Sequence, residues 1–160
     1  RKKENQLYTT ASGHIIAGES VTEGFGREIK EEIGVNIDIN KAQLVAVVPF
    51  QLDREEKDGS LFRDRAFANV YVCPFEEDYS AFVFDPDELN GLAKVNAKDT
   101  LELLKLEKGK INGVIITNGE SGNLAIERKI DFKDFLVNKG ETAIGKYGDV
   151  LNKIIELVKS

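Results

Sequence analysis

The chain contains no tryptophan, no methionine, one cysteine and one histidine among its 160 residues. A single cysteine, Cys73, excludes an internal disulfide, and nothing in the cysteine usage calls for an oxidising compartment. Its surroundings, VYVCPF, favour a buried structural thiol over a reactive one. Long apolar runs are missing as well. None approaches the ~18 residues needed to span a bilayer, and the basic start RKKEN is not followed by a signal-peptide core, so no membrane is expected and the expected location is cytoplasmic. The start at Arg1 and the lack of methionine suggest a sequence that differs from the chain as translated, which an intact mass would test.

Positive charge is also scarce. The net charge is -6 and the pI is near 5.0, which opposes a phosphate-tracking surface, because such surfaces need clustered Lys and Arg. Polymeric nucleic acid is therefore not an expected partner. A small phosphorylated ligand stays compatible when a bound metal supplies local positive charge. With 41% hydrophobic and 31% charged residues the composition is that of a globular chain, long enough for one full core. No repeat, low-complexity run or linker divides it, so residues 1–160 are expected to form one domain.

What the chain has is a crowd of carboxylates. Gly13 to Val35, GHIIAGESVTEGFGREIKEEIGV, gathers Glu19, Glu28, Glu31 and Glu32 with Arg27. Val21, Phe25, Ile29 and Ile33 recur at steps of four, which predicts a helix from about Ser20 to Ile33 with one buried face, ended by Gly34. On that helix Glu28, Glu31 and Glu32 stand at i, i+3 and i+4, a spacing that brings like charges together and destabilises an isolated helix. Gly24 and Gly26 each cost a further ~1 kcal/mol relative to alanine. Local rules broken together point to a functional site. Three clustered carboxylates suit a magnesium or manganese ion that shares its shell with substrate phosphates. A solvated acidic face with Lys or Arg partners is the competing reading, and the spacing decides against it.

Gly13, Glu19 and then Arg27-Glu28-Ile29-Lys30-Glu31-Glu32-Ile33-Gly34-Val35 match, position by position, the signature that marks the Nudix hydrolase superfamily, which the segment resembles without a gap. The resemblance implies a strand, loop, helix and second loop that hold divalent metal against a diphosphate. It implies Glu28, Glu31 and Glu32 as metal ligands, with Glu28 a catalytic residue. Arg27 would orient those carboxylates through its planar fork, Glu19 would brace the loop, and Gly13 and Gly34 would supply tight turns. The implied fold is a Nudix-type α/β/α sandwich with a mixed β-sheet. That fold places one or more strands before the signature, where this chain has only Arg1 to Ser12. Either an N-terminal part is missing or the sheet is completed otherwise.

In chain order, Gln6 to Ser12 is expected to be a strand that delivers Gly13 to the site. His14, beside that site, is expected to be a hydrogen-bonded loop residue rather than a ligand. Leu44 to Leu52 reads as a strand in which Pro49 suggests a bulge or an edge, Asp58-Gly59 marks a hairpin turn, and Arg65 to Val72 returns. Phe82 to Phe84 leads into the acidic turn Asp85 to Glu88, and Glu88 is the candidate for an extra base or ligand beyond the signature. Leu92 to Val95 reads as a strand, and Asp99 with Glu102 as a capping box opening a helix through Leu106. Beyond that lies an extension, about residues 113–159. It holds a hairpin with a six-residue loop, Asn118 to Asn123, and a helix with Ile144, Tyr147, Leu151, Ile154, Ile155 and Val158 along one face. That face is expected to cover the sheet, with a homodimer contact as its second reading.

SGHIIAGES, DRAFANVYV and FVFDPDELNGL are similar to the branch of the superfamily around isopentenyl-diphosphate isomerase. Isomerisation would need a cysteine where this chain has Ser12 and a glutamate in the strand region of Asn69. Neither a hydroxyl nor a carboxamide exchanges protons near neutral pH as those groups do. The expected activity is therefore metal-dependent hydrolysis of the diphosphate linkage in a small nucleoside diphosphate derivative, with Mg2+ or Mn2+ as cofactor. An isomerase-like enzyme and a non-catalytic diphosphate-binding module are the alternatives.

Overall fold

The computed structural model describes residues 6–136 and 143–158. Of the C-terminal extension, residues 137–142 and 159 lie outside the described residues, as does the RKKEN start. The architecture is mixed α/β, as the sequence led us to expect. Helix α1, Val21–Ile33, begins at a capping box: the Ser20 hydroxyl accepts the Glu23 N–H, and the Glu23 carboxylate accepts the Ser20 N–H at 2.8 Å. It stops at Gly34, whose φ of 74° is the left-handed conformation that glycine adopts without strain. A side chain there would also collide with Val83.

The apolar stripe of α1 builds the main core. Ile29 and Ile33, with Val35 just after the helix, pack against Phe82, Phe84, Leu89 and Ile116. Residues 83–85 run alongside the end of α1. The Val83 N–H donates to the Ile33 carbonyl and the Asp85 N–H to the Glu32 carbonyl, both at 3.0 Å, so two of the terminal helix carbonyls are satisfied by extended chain. This contact places the acidic turn after Phe84 beside the helix that carries the carboxylates.

Strands β1, Gln43–Glu55, and β2, Leu61–Val72, form a long antiparallel hairpin. Both strands are edges, which is how Pro49 is accommodated opposite Phe67; the register irregularity lies earlier, between Leu44 and Ala46. Gly59, at φ 80°, turns the chain with Asp58 accepting from Ser60. The hairpin joins α1 through Tyr71, whose ring stacks on Phe25 at 4.8 Å.

The second sheet has the order β3-β4-β5, all antiparallel, from Leu92–Val95, Lys110–Gly119 and Gly122–Asp131. Helix α2, Ala97–Leu106, packs on β4, and α3, Ala143–Leu157, packs chiefly on α2 and less on β1 and β2. Ile116 faces the α1 core, whereas Ile130 has the opposite register parity and is also buried, so both faces of this sheet are covered.

Four expectations change in detail. Gln6 to Ser12 is not a strand: Leu7 makes one parallel bridge to Phe135, the parallel component among the described residues. The cap of α2 is Asn96, not Asp99, because the Asn96 side-chain oxygen accepts from both Lys98 and Asp99 N–H groups. The β4–β5 loop is two residues, not six, since Asn118 pairs with Asn123 and Gly119 with Gly122. The face of α3 meets mainly α2 rather than a sheet, and Val158 is 82% exposed, outside the apolar contact.

Candidate functional site

Arg27 is the hub of the carboxylate cluster. Its Nε and Nη2 donate to the two oxygens of Glu19 at 2.9 and 3.1 Å, a bidentate fork. Nη1 donates to Glu28 at 2.7 Å and to Glu31 at 2.9 Å, and Nη2 also reaches the His14 carbonyl at 2.9 Å. One guanidinium thus ties together the loop before α1, the residue that braces the loop, and two carboxylates of the helix. The hydrogen bonds from Arg27 and from the Ile16 N–H hold the Glu19 carboxyl below the usual range, and those carboxylates push the Arg27 guanidinium further up. Glu32, buried at 7% exposure, accepts from the Ser12 N–H at 3.3 Å, so the third carboxylate turns toward the same loop.

The glycines of the segment make room for these contacts. A Cβ on Gly13 would overlap the Glu28 carboxylate. A Cβ on Gly24 would sit 3.0 Å from a Glu19 oxygen, and one on Gly26 would press 2.9 Å against Ile39. The two glycines that weaken α1 locally are therefore the ones that let Glu19 and Ile39 lie against it.

Among the described residues no three His, Cys, Asp or Glu side chains converge closely enough to hold a metal ion. Glu28 and Glu31 instead surround the positive charge of Arg27. By donor chemistry the set fits a hard divalent cation: every candidate ligand is a carboxylate, and three of them share one helix surface beside the Gly13 loop. A comparison with protein families matches the NUDIX domain over residues 1–113. The chain belongs to the Nudix family. Comparison with curated proteins and with solved structures gave no match. Family membership supports hydrolysis of the pyrophosphohydrolase type on a small-molecule substrate, and Nudix hydrolases generally use divalent metals such as Mg2+. Among the described residues no helix is long and apolar enough to cross a membrane.

Around the Nudix helix the other singled-out residues fall as follows. Glu88 is exposed on the turn whose Asp85 N–H is bound to the Glu32 carbonyl, and the Glu88 N–H closes that turn on the Asp85 carbonyl at 3.0 Å. Tyr8 lies within electrostatic reach of both carboxylates: burial first, then Glu32 and Glu88, push its hydroxyl up. Sequence reasoning did not single out Tyr8, since an isolated tyrosine in a short polar stretch carries no motif; the Leu7 bridge is what fixes it there. His14, with a side chain 79% exposed, pairs with Asp64 of β2 at 3.1 Å. Arg65 donates from Nη2 to both oxygens of Asp53, and Arg54 lies over the Phe62 ring at 5.1 Å. Cys73 is half-buried near the Asp38 and Pro74 carbonyls, and burial pushes its thiol up, which suppresses thiolate chemistry.

Proposed function

We propose that this Nudix protein, read as a single domain over residues 1–160, hydrolyses the diphosphate linkage of a small nucleoside diphosphate derivative or related phosphorylated metabolite. Magnesium, with manganese as a substitute, would be held by Glu28, Glu31 and Glu32. The observation that carries this reading is the Arg27 hub, which collects Glu19, Glu28 and Glu31 at one loop while Glu32 binds the backbone of that loop. When bound, the ion polarises phosphoryl oxygens, lowers the pKa of the attacking water and stabilises the leaving phosphate.

The chain's own residues set the geometry. Arg27 fixes the carboxylate oxygens, and Glu28 lies against Gly13, where any Cβ would overlap its carboxylate. Glu19 holds Arg27 through two hydrogen bonds, which sets the orientation of the fork. Glu28 accepts the proton from the attacking water, and Glu88, on the turn bound to α1, is the second candidate for that role.

Phosphorus NMR of a diphosphate panel with magnesium tests the reading: ADP-ribose, dinucleoside polyphosphates, nucleotide sugars, nucleoside triphosphates and isopentenyl diphosphate. Cleavage by the native chain and at least ~100-fold slower cleavage by Glu32→Gln are expected, corresponding to loss of a group that acts in the transition state. Intact diphosphates with double-bond migration in the proton spectra would sink the hydrolase reading.

A further inference from the structure

A depression of about 750 Å³ opens on the β3-β4-β5 sheet, on the face that Asn112 and Val114 share with Ile116. No residue of Gly13 to Val35 lines it. The register explains its floor: Lys94, Val114 and Glu127 are partners across the three strands, with Asn112 paired to Lys129 beside them. Tyr79 lines it as well, and the Lys94 ammonium stands 5.5 Å from the centre of its ring. Tyr79 is held there from behind, since the Asn123 amide donates to the Tyr79 and Phe82 carbonyls at 2.7 and 2.8 Å. Toward the core, Tyr79 and Val114 pack on the cluster that contains Ile29 and Ile33.

The charge of the cavity runs against that of the molecule. Lys94 and Lys129 stand on its floor with one carboxylate, Glu127, and Arg128, at the alternate register position of β5, also lines it, on a chain whose net charge is -6. None of the three cations forms an ion pair among the described residues, although Asp and Glu outnumber Lys and Arg by 28 to 22. Asn96 and Asn112 add amide groups at the same wall. A concavity of this size suits a small molecule, and unpaired cations with amide donors suit the oxygens of a phosphate.

We propose that this cavity is a second ligand site, for a small phosphate-bearing anion, distinct from the Nudix carboxylate site. It stands whether or not the chain hydrolyses diphosphates, because it needs neither metal nor turnover.

Amide NMR of the whole chain, without divalent metal, tests it with two probes. Inorganic pyrophosphate supplies the phosphate chemistry alone, and AMP supplies it on a nucleoside; tighter binding of one identifies which source the site reads. The expected result is saturable shifts at Lys94, Asn96, Asn112 and Lys129 in the millimolar range or below, weakened by added salt. The same shifts should persist in Glu32→Gln. The double variant Lys94→Gln, Lys129→Gln should bind about tenfold more weakly or worse, because two charge-assisted contacts are lost. Both lysines are exposed, and unchanged amide positions in α1 and α2 would show that the fold is intact. Shifts confined to residues 13–35, no saturation, or equal affinity in the lysine variant would each overturn the proposal.

Discussion

Arg27 cannot be replaced by lysine without loss, because no ammonium reproduces a planar fork that donates to Glu19, Glu28, Glu31 and the His14 carbonyl at once. Arg27→Lys keeps the charge and should still lower kcat/KM by about 10- to 100-fold, the range seen when partners that orient metal ligands are removed. Its magnesium dependence should move to higher concentration, a readout that a purely structural defect would not shift; an unchanged metal dependence would refute the orienting role. At this scale most of the candidate site was legible in the sequence. Residue type and spacing single out Gly13, Glu19, Arg27, Glu28, Glu31, Glu32 and Gly34 as candidates because they lie on one continuous segment. Gly24 and Gly26 were legible only as anomalies, since the atoms that need the space, a Glu19 oxygen and Ile39, reach them through the fold. Tyr8 was not legible at all: its nearness to Glu32 and Glu88 depends on the N-terminal segment docking beside Phe135.

Elements were readable where local chemistry and tertiary context agree. The stripe Val21, Phe25, Ile29 and Ile33 gave α1, and the structure adds the Ser20-to-Glu23 capping box that starts it. Ser20→Ala should destabilise the protein by about 1 kcal/mol in urea melts, the typical cost of an N-cap, with no change in m-value. A loss below a few tenths would mean that burial of Ile29 and Ile33 alone holds the helix. The β4–β5 connection shows why turn chemistry misleads. Asn118-Gly119 has turn composition, yet Asn118 and Gly119 stay in the ladder with Asn123 and Gly122, and the chain reverses over Glu120 and Ser121 instead. Cross-strand pairing over ten residues outweighs the preference of one dipeptide. Gln6 to Ser12 failed in the other direction, because a β-forming composition does not make a strand where one residue alone finds a partner.

Among the described residues, groups with shifted titration bound the stability from both sides. Glu19 is held down by Arg27, Glu23 and Asp58 by the hydroxyls and backbone of Ser20 and Ser60, Asp78 by the Ser80 N–H, and Asp131 by the Lys133 N–H. Each has a folded-state pKa below its unfolded value, so the unfolded chain binds more protons and stability rises with pH through that window. Their contribution is complete above the ordinary carboxylate range, about pH 4 to 5, and is lost as pH falls through the lower folded values. Burial pushes Cys73 and Tyr8 the opposite way, so their contribution is complete below the ordinary thiol and phenol values and is lost as pH rises through the higher folded ones. Stability should therefore show a plateau between about pH 5 and pH 8, with an acid limb and an alkaline limb. Denaturant melts across that range check it, and Cys73→Ser should shrink the alkaline limb while leaving the acid limb in place. Because the depressed carboxylates sit at a cap, at turns and at the Arg27 hub rather than in one ion pair, the acid limb should be gradual. A single sharp step near pH 4 would show that one group dominates and would contradict this distribution.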